Sequence, residues 1–248
     1  MQLVNAYPRR QFVLARACLG ALLCYQLLTL LPYAKHLVEP EIAFALLAVG
    51  GAAAGLFAAG YARKPAAVVA WLAIVGVMFR NPGLYDFDWD YLPWLLLATV
   101  FVDDDERDVR VPRLLYVGAW AVLAVSYTFS GISKFLQPEW RHGEVVRMVL
   151  GLTLSRVDLP ADPPVLLLAL MRVATWFTLF AETAFLPLAL FRRTRPWALL
   201  FMTFVQIGIG SFVRVTELNL ALLVFHLFVL EAGWVGKIQA WVRNSPAP

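Results

Sequence analysis

The chain has 248 residues, of which 61% are hydrophobic and only 15% are charged, and its mean hydropathy is +0.70. Soluble domains are nearer half apolar and a quarter charged, so this composition argues against a soluble protein and favours an integral membrane protein. The net charge of +4 does not indicate a nucleic-acid partner, because the basic residues cluster at the ends of apolar blocks, where membrane proteins carry them.

Apolar blocks follow one another along the chain, separated by short charged or proline-rich joints. A spanning helix needs roughly 20 apolar residues. We therefore predict an all-α fold, a polytopic transmembrane bundle of about eight spans that occupies 1–248 as one domain without a soluble domain. Blocks three and four are short for full spans and are expected to be tilted, broken or re-entrant. The blocks fall near 12–34, 41–62, 66–79, 91–102, 112–133, 164–191, 196–213 and 217–235.

Small residues are concentrated in the second block, which contains the run Gly50-Gly51-Ala52-Ala53-Ala54-Gly55. Small residues four apart let helix backbones approach closely, so this helix is predicted to pack inside the bundle. The two cysteines, Cys18 and Cys24, lie in the first block and are interpreted as small apolar core residues.

The distribution of basic residues predicts the topology. With a cytoplasmic N-terminus, the inner connectors hold twelve basic residues and the short outer connectors hold three. Because positive residues favour the cytoplasmic side, we expect both termini in the cytoplasm of a multi-pass protein of the inner (plasma) membrane. The inner set is Arg9, Arg10, Arg63, Lys64, Arg107, Arg110, Arg113, Arg192, Arg193, Arg195, Lys237 and Arg243, and the outer set is Lys35, Arg80 and Arg214.

The longest connector, 134–163, is then periplasmic. Within it, 144–154 has apolar residues at helical spacing beside several arginines, which predicts a helix in the interface plane. The acidic run Asp103–Glu106 lacks the spacing of a calcium loop and is expected to be a solvated loop. No His, Cys, Asp and Glu cluster has metal-ligand spacing, so we expect no bound metal.

Ionisable residues inside apolar blocks are costly and often mark function. Arg172 and Glu182 share the sixth block but are ten residues apart, about 15 Å of helix rise, so they cannot pair with each other. We therefore expect Glu182 to be buried against a partner elsewhere in the bundle. Gln206 and His226 are further polar residues in blocks seven and eight, and the lone histidine is interpreted as structural.

The richest polar cluster lies at the end of the fifth block. Tyr127, Ser130 (with Gly131) and Lys134 follow one another along one helix face, and Gly131 would let a backbone or a ligand come close. Desolvation at the mouth of an apolar cavity would make Lys134 a usable base. The alternative is a lysine that extends to water from a helix end. If removing the charge leaves no partner unpaired, Lys134→Met is expected to stabilise the bundle.

These residues resemble a known family. The pattern Tyr127-x-x-Ser130-Gly131-x-x-Lys134-Phe135, with Trp140 and Gly143 following, is similar to the horizontally transferred transmembrane (HTTM) domain found in bacterial proteins and in vitamin K-dependent γ-glutamyl carboxylases. Further landmarks that agree are Arg80-Asn81-Pro82, Ala181-Glu182 with Pro187, and Thr194-Arg195. The resemblance implies that Lys134 is the base that deprotonates a quinol, on the periplasmic side.

The chain also departs from that family. Asp88-Trp89 stands where the carboxylases have Asn-His, Gln206 stands where the family commonly has histidine, and their large lumenal domain has no counterpart. We therefore do not expect glutamate carboxylation by this chain alone.

Two functional hypotheses remain open. In the first, the chain is a membrane enzyme acting on a quinol-like or lipid-like ligand, with a quinol as the implied cofactor. Lys134 is then the base, Tyr127 and Trp140 shape the pocket with Ser130 and Gly131, and Arg172 or Glu182 places the ligand. In the second, the chain is a non-enzymatic immunity or partner-binding component whose partner is another membrane protein. The bilayer is the surrounding partner in both.

Overall fold

A computed structural model describes residues 3–84, 91–104, 108–231 and 233–234, and these residues are mostly α-helical. The chain divides into two compact units, Met1–Tyr116 with Leu220–Pro248 and Val117–Asn219. The helices are α1 (Arg9–Leu30), α2 (Pro40–Ala59), α3 (Arg63–Arg80), α4 (Leu92–Val100), α5 (Arg113–Phe135), α6 (Pro138–Arg141), α7 (Val145–Leu150), α8 (Val165–Thr183), α9 (Phe185–Leu190), α10 (Arg195–Phe212) and α11 (Thr216–Val229).

Small residues hold the first three helices of the first unit together, as the run in the second block predicted. A Cβ added to Gly50 of α2 would lie 2.7 Å from the Ala73 Cβ of α3. One added to Gly20 of α1 would lie 2.8 Å from the Ala54 carbonyl oxygen of α2. Backbones this close gain dispersion energy along the whole contact, and only small side chains permit it.

One end of the first unit gathers several connectors and a small sheet. The strands β1 (Leu3–Pro8), β2 (Asp103–Asp104) and β3 (Asp108–Pro112) pair antiparallel in the order β1-β3-β2. At the start of α3, the Arg63 guanidinium donates to the carbonyl oxygens of Thr99 and Val102, both at 2.7 Å, and Lys64 pairs with Asp103. The predicted loop at 103–106 is therefore partly sheet, and its residues 105–106 lie outside the described part.

At the opposite ends of α2 and α3, side chains tie the connectors to each other. Arg80 pairs with Glu39 at 2.8 Å, and the Asn81 side-chain oxygen accepts a hydrogen bond from the Val38 backbone N–H. A 3₁₀ helix, Leu31–His36, continues from α1 at this end. Two of the predicted family landmarks, Arg80 and Asn81, thus fasten connectors.

Among the residues that the structure describes, four helical segments are long and apolar enough to cross a membrane: Arg9–His36, Pro40–Ala59, Arg113–Phe135 and Val165–Thr183. The remaining predicted blocks also contain helices, but those are shorter or carry charged ends. The predicted fourth block, 91–102, is the clearest case of a short helix. Its helix α4 has nine residues and rises only about 14 Å, half of the hydrocarbon thickness.

The second unit contains most of α5 and the helices α6 to α10. The predicted interface helix is shorter than expected, since α7 covers only Val145–Leu150. After α7, two backbone hydrogen bonds join the connector to the end of α10. The backbone N–H of Arg156 donates to the Phe212 carbonyl, and the backbone N–H of Arg214 donates to the Leu154 carbonyl. The sixth block is two helices, α8 and α9, with a break at Ala184.

Candidate functional site: an ion pair between α5 and α8

Lys134 and Glu182 form an ion pair inside the second unit. The Lys134 Nζ lies 2.5 Å and 2.6 Å from the two Glu182 carboxylate oxygens. The glutamate side chain is 4% exposed and that of the lysine 24% exposed, so the carboxylate is buried and the ammonium faces a partly open side. A buried carboxylate needs such a partner, because an unpaired charge in an apolar interior is very costly.

The face of α8 that packs inward explains the burial of Glu182. Met171, Thr175, Leu179 and Glu182 follow one another at three- and four-residue spacing and are all buried. The predicted burial of Glu182 is confirmed, and its partner is Lys134. The condition for Lys134→Met to stabilise the bundle is therefore not met, because the substitution would leave a buried carboxylate unpaired.

The pair also shows which part of the sixth block lies beside the end of α5. If α8 ran back along α5 directly from the connector, Lys134 would face the first turn of α8. It instead faces Glu182, which is 17 residues beyond Val165, about 26 Å along the helix. The part of the sixth block that packs alongside α5 is α9, where the Phe185 ring contacts the Tyr127 ring.

The Trp140 ring lies beside the lysine. Its ring centroid lies 5.0 Å from the Lys134 Nζ, within the range of a cation–π contact. The α6 turn that carries Trp140 is held in place from α8, since the Trp176 indole N–H donates to the Arg141 carbonyl at 3.0 Å. Gly143 follows with a φ of +76°, a conformation that glycine adopts without strain.

Gly131 is where the helices come closest. A Cβ added there would lie 2.5 Å from the Thr183 backbone nitrogen and 2.8 Å from the Glu182 carbonyl carbon. Of the two predicted uses of this glycine, the approach of a backbone is the one present. Gly131 therefore brings the last turn of α8 within reach of Lys134, one turn further along α5.

Thr128 completes the contact, and sequence reasoning gave it no role. Its hydroxyl accepts a hydrogen bond from the Leu186 N–H at 2.9 Å and donates to the Glu182 carbonyl oxygen at 3.4 Å. In a continuous helix those two backbone groups would bond to each other. The signal available in the sequence was the spacing of Thr128, Gly131 and Lys134 along one face, with Pro187 marking the helix break.

Tyr127, Ser130 and Arg172 are the remaining predicted site residues. Tyr127 is buried, with its ring 4.9 Å from that of Phe185, and its hydroxyl accepts a long hydrogen bond (3.4 Å) from Gln206. Ser130 is half-buried on α5, and Arg172 is exposed on α8. The ligand roles predicted for these residues remain predictions.

His226 is not part of this site, because it is buried in α11, in the first unit. The Asp88-Trp89 departure lies outside the described residues, as do Arg107, Lys237 and Arg243. Within the described part of the chain, no group of three or more His, Cys, Asp or Glu side chains could hold a metal ion.

Thr194 and Arg195, two further landmarks, cap the end of α9. The Thr194 hydroxyl donates to the Leu188 carbonyl and the Arg195 Nε to the Ala189 carbonyl, both at 2.6 Å. The Arg195 guanidinium also lies over the Trp120 ring, 5.7 Å from its centroid. These residues thus satisfy carbonyls that a short helix leaves without partners.

No family model matches the chain, and neither the curated proteins nor the solved structures include a match. The fold and the site define a helical protein whose described part contains four apolar helical segments of membrane-spanning length and an ion pair between two of them.

Proposed function

We propose that the chain is a multi-pass protein of the inner (plasma) membrane, with about eight membrane-embedded helical segments and both termini in the cytoplasm. Its 134–163 connector is periplasmic. The support is the collection of basic connectors at one end of the first unit, where Arg63, Lys64 and the strands that flank Arg9 and Arg113 lie together. Such a collection is what the positive-inside rule requires of a cytoplasmic end.

Exposed aromatic side chains add to this support. In the first unit, Tyr61 and Phe101 are exposed beside the basic end, and Tyr33 and Phe79 near the opposite ends of the helices. The α3 helix between the two levels has 18 residues, a length of about 27 Å that is close to the hydrocarbon thickness. Aromatic residues at both interfaces are typical of spanning proteins.

Thiol labelling tests the topology. In a variant lacking Cys18 and Cys24, a cysteine is placed either at Ser155 or at Asp104, and intact cells are treated with an impermeant thiol reagent. We expect labelling at 155 and protection at 104 until the cells are opened. Equal labelling of both positions from outside would contradict the proposed orientation.

At the site, we propose that Lys134 is a base acting on a quinol-like or lipid-like ligand at the periplasmic face. The observation that carries this proposal is the Lys134–Glu182 pair, in which the carboxylate is buried and the partly exposed ammonium lies beside the Trp140 ring. Desolvation offsets much of the attraction between the charges of such a pair.

The pair then has a direct chemical use. When the ammonium passes a proton to the Glu182 carboxylate, the neutral Lys134 amine can accept a proton from a ligand hydroxyl. The resulting ammonium stabilises the ligand oxyanion beside it. In this proposal Trp140 offers the ligand an aromatic face, and Tyr127 shapes the apolar wall further along α5.

Identifying the molecules that remain bound after gentle purification tests the ligand. Extracts are analysed by mass spectrometry for wild type and for Trp140→Ala, with Trp234→Ala in the first unit as the control. We expect a quinone or one lipid species in stoichiometric amount, reduced by the Trp140 substitution alone. Only bulk phospholipid in every sample would favour the second candidate function.

That second candidate is a non-enzymatic membrane component that binds another membrane protein, with the motif serving structure. A specific observation favours it: the landmark residues Asn81, Thr194, Arg195 and Gly131 all fasten connectors, cap a helix or allow close packing. Lys134→Arg separates the two candidates, because arginine preserves the charge but does not release its proton. A structural pair tolerates that substitution, whereas a base does not.

A further inference from the structure

The break between α8 and α9 is built around a side chain from another helix. The Leu186 N–H and the Glu182 carbonyl, which would bond to each other in a continuous helix, both bond to the Thr128 hydroxyl of α5. Inserting a hydroxyl into the hydrogen-bond ladder opens that turn of a helix. The next residue, Pro187, has no N–H and its ring disfavours the helical position of the Thr183 carbonyl, so the ladder does not resume there.

Glu182 is thus held from both its ends by α5. Its backbone carbonyl accepts from Thr128, and its carboxylate accepts from Lys134, six residues further along the same helix. Gly131, midway between them, leaves room for the backbone of Glu182 and Thr183. Because the three α5 residues occur at three-residue steps, they lie along one side of the helix and grip a single turn of α8.

We infer that Thr128 is a positioning residue, whose hydroxyl fixes the opened turn so that the Glu182 carboxylate meets Lys134. The functional meaning of this role rests on the proposed function of Lys134, but the geometry does not. Without the hydroxyl, Leu186 N–H and the Glu182 carbonyl lose their shared partner, and the turn can close towards regular helix. Glu182 then moves relative to Lys134, and the ammonium becomes more available.

Site-resolved labelling of lysine amines measures that availability without any ligand. The chain has only four lysines, and the exposed Lys35 and Lys64 serve as internal references for reagent and pH. The purified full chain in detergent is treated with limiting acetic anhydride, and the acetylation rate of Lys134 relative to the references is read by mass spectrometry.

Thr128→Val keeps the shape of the side chain but removes the hydroxyl. We expect it to raise relative labelling of Lys134 about threefold to tenfold, the factor that one lost hydrogen bond gives. Thr128→Ser, which keeps the hydroxyl, should match wild type. Thr203→Val is the control: it removes a hydroxyl that bonds to the Leu199 carbonyl within α10, and it should leave Lys134 unchanged.

A double substitution shows whether Thr128 acts through Glu182. In a Glu182→Gln background, the Lys134 amine is already released, so adding Thr128→Val should change its labelling by less than about twofold. An equal increase in both backgrounds would overturn the inference, as would an equal increase in Thr203→Val. Should the valine variant fail to fold, Thr128→Ala and Thr128→Ser replace it, and equal labelling of Lys134 in those two variants overturns the inference.

The outcomes remain distinct from those of the proposed function. If Thr128 positions Glu182 but no ligand is found, the labelling results hold and only the role of Lys134 as a base falls. If Lys134 is a base but Thr128→Val leaves its labelling at the wild-type rate, only the positioning role falls.

Discussion

Removing the lysine of the Lys134–Glu182 pair should destabilise the protein, and the structure sets the size of the effect. Lys134→Met leaves a carboxylate that is 4% exposed without its partner. Breaking a buried pair in this way costs about 3–5 kcal/mol. Because the lysine side chain is itself 24% exposed and water can reach the site, we expect about 2–4 kcal/mol here.

The double substitution Lys134→Met with Glu182→Gln should restore most of that stability, because no charge is then left buried. The assay is unfolding of the detergent-solubilised protein in SDS, followed by circular dichroism, for wild type, both single variants and the double variant. The coupling energy between the two sites follows from the four free energies of unfolding. A Lys134→Met variant at least as stable as wild type would refute the reasoning, as would additive single effects.

Two further predictions, one about helix packing and one about hydrogen bonds, use the same unfolding assay, each with a matched control. Gly131→Ala should lose about 1–3 kcal/mol, because its Cβ would meet rigid backbone, whereas Gly208→Ala in α10 should be neutral or stabilising by up to about 1 kcal/mol, since nothing lies within 4 Å of its added Cβ and alanine favours the helix. Equal changes in stability for Gly131→Ala and Gly208→Ala would show that α5 and α8 do not approach each other closely at Gly131. Arg63→Gln should lose about 1–2 kcal/mol with its two carbonyl partners, and Lys64→Ala should change stability by less than about 0.5 kcal/mol, because its pair with Asp103 is exposed. A larger loss from Lys64→Ala than from Arg63→Gln would reverse this assignment.

The burial of Glu182 could be predicted from the sequence, but its partner could not. An ionisable residue in an apolar block must be compensated, which is a local argument. The identity of the partner depends on the break at Ala184, which directs α9 rather than α8 along α5. Pro187 indicates a helix break, but it does not indicate that Thr128, 58 residues before Leu186, would bond within the opened turn.

Glycine spacing gave a similarly partial prediction. The small residues of α2 predicted close packing, which the contact of Gly50 with Ala73 confirms, because a small residue is informative about distance. It carries no information about which helix approaches. At Gly131 the sequence therefore left both a backbone and a ligand open.

The small sheet was missed because charge dominated the interpretation of the 103–113 connector. The alternation Val109-Arg110-Val111 is the period-two pattern of a strand, and the two valines are buried. Its partner, β1, precedes the first apolar block by a few residues. Pairing between segments about one hundred residues apart is a tertiary contact that a local pattern does not specify.

The protonation state of a bound quinol shows directly whether Lys134 takes a proton from a ligand hydroxyl. Menadiol is titrated anaerobically at neutral pH into the purified protein in nanodiscs, and its ultraviolet spectrum is compared between wild type, Lys134→Arg and the control Lys64→Arg. We expect the red-shifted absorbance of the quinol anion with wild type and Lys64→Arg, and the neutral quinol spectrum with Lys134→Arg, which keeps its charge but does not release a proton. A neutral spectrum with wild type, or an anion spectrum that persists in Lys134→Arg, would show that Lys134 is not the base.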